Sequence, residues 1–429
     1  MDKNIKELEK QEFIKRDKEL CLIASEGLPS EDILEASGSI FQLKYSEGFP
    51  QKRYYQGCEI VDKMEQECIN AVLKLFDAEN EYFANVQPNS GSSSNLIVYN
   101  AILQPNDIVL AMDTKSGSHI SHSHPKSFIA KYHKVYTYGV NENGFIDYDE
   151  VEKLALQYKP KLIICGTSAY SQLVDFKRFK EIADKCGALL MADIAHISLL
   201  VAHGLHQSPV GLADFITFTT HKMLAGPRGG VILYKRNFDK QIKLSTIPSL
   251  FGGPLEHQIY AKLLCFKEAF TFESSEYSKQ IIKNAKVMAD TFKENDIPII
   301  TGSTINHLMT VDLSNYCSGK LMAELLEECG IICNCNAIPN DKRSFLETSG
   351  IRLGVPFITK RGLNEQEVKQ LTIYIAELIK HFKIGGCSLE DIFKLKKRLK
   401  DYVEILTSKY PLKDIYPKMY NRLFKEEIK

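Results

Sequence analysis

The chain has 429 residues, 44% hydrophobic and 25% charged, enough to bury a large core in two or more domains. Its 54 basic and 54 acidic side chains cancel, which excludes a global field that would draw it to nucleic acid or to an anionic membrane. No apolar run is long enough to span a bilayer, and the Lys- and Glu-rich start, Met1–Lys18, lacks the pattern of a secretory leader, so a cytoplasmic location is expected.

Residues 1–20 pattern as a charged arm helix with little of its own to bury against, expected to pack on another subunit. Leu22–Gly27 and Lys44–Gly57 follow. The second stretch is loop-like, rich in Gly and Tyr, and carries Tyr45, Glu47 and Tyr55; such loops more often serve sites than cores. On residue type alone Glu47 is a solvated loop charge. Cys58–Phe76 has helical spacing. Ser90, Gly91 and Ser92 then open a helical run through Leu103. Free N–H groups and the helix dipole there suit a phosphate, although a Ser-Gly-Ser run is also an ordinary cap.

From Asp107 strands and helices alternate. Strands are expected at Ile108–Met112, Val135–Val140, Leu162–Cys165, Leu189–Ala192, Phe215–Phe218 and Val231–Tyr234, with helices at Tyr148–Gln157 and Phe176–Cys186. This predicts an α/β domain with a mostly parallel central sheet and helices on both faces, in which ligands bind at the carboxyl ends of the strands. Ser168, Asp193, His196 and Lys222 all fall just after such strands. Helices Glu256–Phe270 and Lys279–Asn295 leave this domain. His307–Leu313, Lys320–Cys329, Ile331–Cys335, Gly350–Gly354 and Glu365–Phe382 form a smaller C-terminal α+β unit. Ser388 opens a last helix to about Ser408, and the basic, tyrosine-bearing end from Pro411 reads as mobile. The expected division is an arm at 1–20, a large domain at 21–274, a small domain at 275–388, and a helix and tail at 389–429.

Asp214–Gly230 organises the rest. A buried strand delivers Lys222 behind Thr219, Thr220 and His221, and glycines and a proline follow at once. A lysine on a strand-end turn among hydroxyls and an imidazole suits an amine that bonds a carbonyl carbon, the use made of it by covalent pyridoxal phosphate (PLP). His119, His122 and His124 form a His-x-x-His-x-His run with no carboxylates around it, so no metal site is expected. The 11 cysteines contain no Cys-x-x-Cys pair and read as free thiols.

Leu22-Ile-Ala-Ser-Glu, Lys44-Tyr-Ser-Glu-Gly, Lys52-Arg-Tyr-Tyr, Asn85-Val-Gln-Pro, Ser90-Gly-Ser, Ala192-Asp-Ile-Ala-His, Thr219-Thr-His-Lys, Gly226-Pro-Arg-Gly-Gly, Gly252-Gly-Pro-Leu and Thr348-Ser-Gly-Ile-Arg resemble the serine hydroxymethyltransferase family, colinearly from about Ile23 to the last helix. The resemblance implies a PLP-dependent transferase of the aspartate-aminotransferase-like fold type I. Such an enzyme is a homodimer with shared active sites, and it makes or breaks the Cα–Cβ bond of serine with tetrahydrofolate as one-carbon acceptor. By matching position, Lys222 forms the Schiff base, Asp193 pairs with the pyridine nitrogen and His119 stacks on the ring. Ser168 and His196 lie near the phenolic oxygen, and Thr219 and His221 belong to the same cofactor site. Ser90, Gly91 and Ser92 hold the phosphate with Gly253 of a second subunit. Arg352 grips the substrate carboxylate as a planar two-pronged donor. Glu47 and Tyr55, also from the second subunit, face the reacting hydroxyl, Glu47 as the proton-transfer group; Ser25 and Tyr45 line the same place.

The departures from the family pattern cluster. They are Asn89, Ser93 and Ser94 around the phosphate run, Thr114–Ser118 before His119, Ser198 and Leu199, Phe251, Asn334-Cys335-Asn336, and Ser344–Glu347. Thr114 and Leu346 match positions where the family binds its pteridine; their polarity or smaller size is expected to remove about 1 kcal/mol of apolar contact each. The alternative is therefore a folate-independent threonine-type aldolase, or a transaldolase passing a glycyl unit to another aldehyde.

Overall fold

The computed structural model describes residues 3–383 and 388–425. The chain forms two compact units, one of residues 32–168 and 173–278, the other of residues 1–31, 169–172 and 279–429. The long helix Phe272–Glu294 carries the chain from the first to the second.

The first unit is built on seven strands: β1 Tyr82–Asn85, β2 Ile108–Met112, β3 Lys134–Tyr138, β4 Leu162–Cys165, β5 Leu189–Asp193, β6 Phe215–Thr219 and β7 Gly230–Lys235. Their order across the sheet is β1-β7-β6-β5-β4-β2-β3. β2 through β6 pair in parallel, and β7 runs antiparallel to both β6 and β1. β4 and β6 are buried at every position, as the apolar runs of a covered parallel sheet require. The helices Gly91–Ile102, Tyr148–Tyr158 and Phe176–Cys186 are amphipathic or apolar and supply that cover; Ile97, Val98 and Tyr99 join Val109, Leu162, Ile164, Met191, Phe215 and Ile232 in one core cluster. Strand β1 was not expected from the sequence. Its four residues, Tyr-Phe-Ala-Asn, are too few to show a period.

With β1 through β6 running in one direction and β7 reversed, one edge of the sheet collects the start of β7 and the carboxyl ends of six strands, four of which, β6, β5, β4 and β2, lie side by side in its interior. The ends of these strands lead directly to Asp113, Gly166, Asp193 and Thr220. Gly166 has φ +120°, and a Cβ there would lie 2.0 Å from Asp193 O, so the β4 turn fits against β5 only without a side chain.

In the second unit, Leu308–Asp312, Gly350–Gly354 and Asn334–Asn336 form a three-stranded antiparallel sheet, and Leu20–Cys21 pairs in parallel with Ile331–Ile332. The helices Gly319–Glu328, Glu365–His381 and Leu389–Lys409 belong to it. The end read as mobile instead forms helices Leu412–Ile415 and Pro417–Phe424; residues 426–429 of that stretch lie outside the described residues. Its aromatic residues do the ordering. Tyr420 and Phe424 close on Phe13 of the arm helix Lys3–Asp17, with ring centroids 6.0 and 5.8 Å away. Part of the arm's apolar face is thus covered by the chain's own C-terminus, while Ile5 and Leu8 stay exposed.

Candidate active site

A cavity of about 200 Å³ opens at the strand-end edge of the first unit, lined by Ser90, Gly91, Ser92, Asn95, His119, Ser168, Asp193, Ala195, Thr219, His221, Lys222 and Arg228. Every segment reaches it from a strand end or a helix start. Ser90 caps the Gly91–Ile102 helix: its Oγ accepts from Ser93 N–H at 3.1 Å, and its own N–H donates to Ser93 Oγ at 2.9 Å. Ser93, one of the departures from the family pattern, therefore completes a capping box. A Cβ on Gly91 would stand 2.7 Å from Thr219 Cγ2, so the first turn lies bare against β6.

Asp193 ends β5 and is buried. Its Oδ2 accepts from Asn95 Nδ2 and from His122 Nε2, both at 2.9 Å, and its Oδ1 accepts from Ala195 N–H at 3.0 Å. Because a carboxylate only accepts, His122 carries its proton on Nε2. Burial pushes the Asp193 pKa up. The His122 hydrogen bond and the nearby charges of His122, His119 and Lys222 outweigh it and hold the acid far below the usual carboxylate range. Asn95 is itself fixed by Thr217, whose Oγ1 donates to Asn95 Oδ1 at 2.7 Å.

Neither Asn95 nor His122 was named from the sequence as a site residue. Asn95 sits mid-helix with no motif of its own. His122 belonged to a run readable only as loop or metal. Their signal lay in spacing: Asn95 is one turn beyond Gly91, and His122 is three residues past His119. His119 itself caps the short helix Ile120–Ser123 through its Nδ1, which accepts from Ser121 N–H at 3.2 Å.

Lys222 is buried on the turn after β6, which Ala225 N–H closes by donating to Lys222 O at 2.9 Å. Burial first, and then the charges of Lys222 and Arg228, lower the His221 pKa to about 4, so its imidazole is neutral. Thr219 Oγ1 is buried with no hydrogen-bond partner among the described residues. Ser168 is placed by its N–H, which donates to Gly117 O at 2.8 Å. His196 is buried on the turn after β5 and is not among the lining residues.

Tyr45, Glu47, Tyr55 and Gly253 do not line this cavity. They form a cluster of their own. The Tyr45 and Tyr55 rings meet edge to face at 5.1 Å, and a Cβ on Gly253 would touch the Tyr45 ring at 3.0 Å. Glu47 Oε1 lies 3.8 Å from the corresponding point on Gly252. Arg53 shapes the loop by donating to the carbonyls on either side of Glu47, Ser46 O at 2.7 Å and Gly48 O at 3.0 Å. Arg352 and Ser25 belong to the second unit. Arg352 Nε donates to Asn334 Oδ1 at 3.0 Å, and burial lowers its pKa to about 10, leaving it cationic at neutral pH. Gly354 N–H donates to Leu22 O at 2.8 Å, so the segment bearing Ser25 runs beside the end of Arg352's strand.

The sheet order, the strand-end lysine and the buried ionised acid fit one class of protein, the PLP-dependent enzymes of fold type I. Comparison with known proteins narrows this. The serine hydroxymethyltransferase family model matches residues 1–375. A serine hydroxymethyltransferase of Coprothermobacter proteolyticus is 48% identical over 412 residues, 96% of each chain. The chain belongs to the serine hydroxymethyltransferase family, and its activity is the interconversion of serine and glycine. Among the described residues no helix is long and apolar enough to cross a membrane, and the ten cysteines there are free thiols.

Proposed function

We propose that the 200 Å³ cavity holds pyridoxal phosphate, covalently attached at Lys222. The residues fit it. A volume below that of most drug-sized ligand sites suits one substituted ring. The bare helix start at Ser90, Gly91 and Ser92 suits a phosphate, Asp193 suits a protonated ring nitrogen, and the partnerless Thr219 hydroxyl awaits an acceptor or donor. Bound there, the ring supplies a sink for the electron pair on Cα as the Cα–Cβ bond is broken or made. The chain's own residues do the rest. Asn95 and His122 keep Asp193 charged, so it can hold the proton on the ring nitrogen. His119 packs on the ring, Ser168 and His196 serve its phenolic side, and neutral His221 adds no competing charge beside Lys222. Arg352 binds the substrate carboxylate, Ser25 and Tyr55 position the amino acid, and Glu47 moves the proton of its β-hydroxyl.

Tetrahydrofolate is the proposed acceptor. A homodimer is proposed because Tyr45, Glu47, Tyr55 and Gly253 cluster away from this chain's own cavity, which supports their completing the site of a second copy. The observation that carries the reading is the shared cavity of Lys222 and ionised Asp193. Purified protein should be yellow, and Lys222→Ala should lose the covalent absorbance. Serine cleavage should be stimulated by tetrahydrofolate; cleavage indifferent to it would favour the aldolase alternative.

A further inference from the structure

Lys262 lies in the middle of the Glu256–Ala269 helix and is buried. Its ammonium donates to three backbone carbonyls: Val86 O at 2.6 Å, Pro88 O at 2.9 Å and Gly230 O at 3.1 Å. Among the described residues no carboxylate lies within ion-pair distance of it, so three peptide dipoles take the place of a counterion. A buried charge is kept only where such partners hold it. The surroundings are shaped to admit it: a Cβ on Gly229 would meet Lys262 Cε at 2.1 Å.

The three carbonyls belong to the two segments that fix the helix start. Val86 and Pro88 lead into Ser90, and Gly230 opens β7, with its N–H donating to Pro88 O at 2.9 Å. A Cβ on Gly230 would fall 2.2 Å from Ser90 O. We propose that Lys262 is a positioning residue for the cofactor phosphate: by drawing these carbonyls to one point behind Ser90, it sets the Ser90–Ser92 backbone in the pose that binds the anion. This rests on the PLP reading above.

The test compares PLP with pyridoxal, which lacks the phosphate, by absorbance titration of the wild type, Lys262→Met and Gly229→Ala. The wild type should prefer PLP. Lys262→Met should lower the PLP-to-pyridoxal affinity ratio by roughly tenfold or more, the scale of a lost charged hydrogen-bond donor, and leave pyridoxal affinity unchanged. Gly229→Ala keeps the charge but displaces the ammonium, so it should lower the ratio in the same direction; it carries the test if Lys262→Met does not fold. Equal losses for both ligands, or an unchanged ratio, would overturn the proposal. A wild type that binds neither ligand would overturn the PLP reading instead.

Discussion

His122 Nε2 stands 2.9 Å from Asp193 Oδ2, and both side chains are buried. The pair joins a histidine on a short helix to the end of β5, and it decides the charge of the acid. Removing a donor to a charged group typically loses 1.5–3 kcal/mol, roughly ten- to a hundredfold. His122→Phe should therefore lower kcat/KM by roughly that factor, and the affinity for PLP should fall as well. Asp193→Asn removes the charge itself and should fall further, by on the order of a hundredfold or more. Wild-type kinetics in His122→Phe would show that Asn95 and the Ala195 N–H hold the carboxylate without it.

A half-buried histidine and a buried glutamate tilt stability in opposite directions with pH. His221 is lowered to about 4 by burial and by the charges of Lys222 and Arg228. The unfolded chain takes up that proton first, near pH 6.5, so the contribution is present above pH 6.5 and is lost as pH falls toward 4. Glu256 is raised to about 7, chiefly by burial and then by Glu65. The folded chain holds that proton longer, so its contribution is present below about pH 4.5 and is lost as pH rises through 7. Denaturant titrations at several pH values should show His221→Gln flattening the acid side and Glu256→Gln flattening the slope between pH 4.5 and 7, each by at most about 1.4 kcal/mol per pH unit. Unaltered slopes in the variants would disprove the assignments.

What the sequence disclosed follows from what leaves a local trace. Phe215–Thr219 is a β-branched and aromatic run followed by a lysine and glycines, so both the strand and a candidate site could be read from one window. Asp193 showed itself as an acid directly after an apolar strand. The support of that acid is non-local: Asn95 is 98 residues away from it and His122 is 71. Such partners carry no motif of their own, and only their spacing from Gly91 and His119 hints at them. The C-terminal helices were missed for a related reason. Pro417–Phe424 exposes charge on one side, and its aromatic side makes sense only against Phe13, which lies some four hundred residues earlier in the chain.

Arg53 is the cation of a buried acidic group. Its Nε donates to Asp62 at 2.8 Å and one terminal nitrogen to Glu65 at 2.6 Å, with Glu256 at 3.7 Å. Glu65 also accepts from Gln87 Nε2 at 2.8 Å, which ties the group to the Asn85–Pro88 segment. Arg53→Met would leave buried carboxylates uncompensated, and such breaks typically cost 3–5 kcal/mol. The same change frees the carbonyls flanking Glu47, so if Glu47 moves the substrate proton as proposed, kcat should fall as well. Denaturation midpoint and kcat measured together check this. A stable but slow variant would mean that the arginine serves the loop more than the fold.

The C-terminal strap holds two places on the N-terminal segment. Leu412 N–H donates to Asp17 Oδ1 at 2.6 Å, and Tyr416 Oη donates to Pro29 O at 2.8 Å, so the chain between Asp17 and Pro29, which includes Ser25, is pinned at both ends. The match to the family model stops at residue 375, before the strap begins. Phe13→Ala should cost about 3 kcal/mol through the lost aromatic packing. Removing residues 411–429 should do more: Phe13 would be uncovered, and amides of 13–30 should exchange faster with solvent deuterium. If Ser25 positions substrate, the truncated enzyme should also show a raised KM for serine with PLP affinity unchanged, because the cavity proposed for the cofactor lies in the other unit. Unchanged exchange in 13–30 after truncation would mean that the N-terminal segment is ordered without the strap.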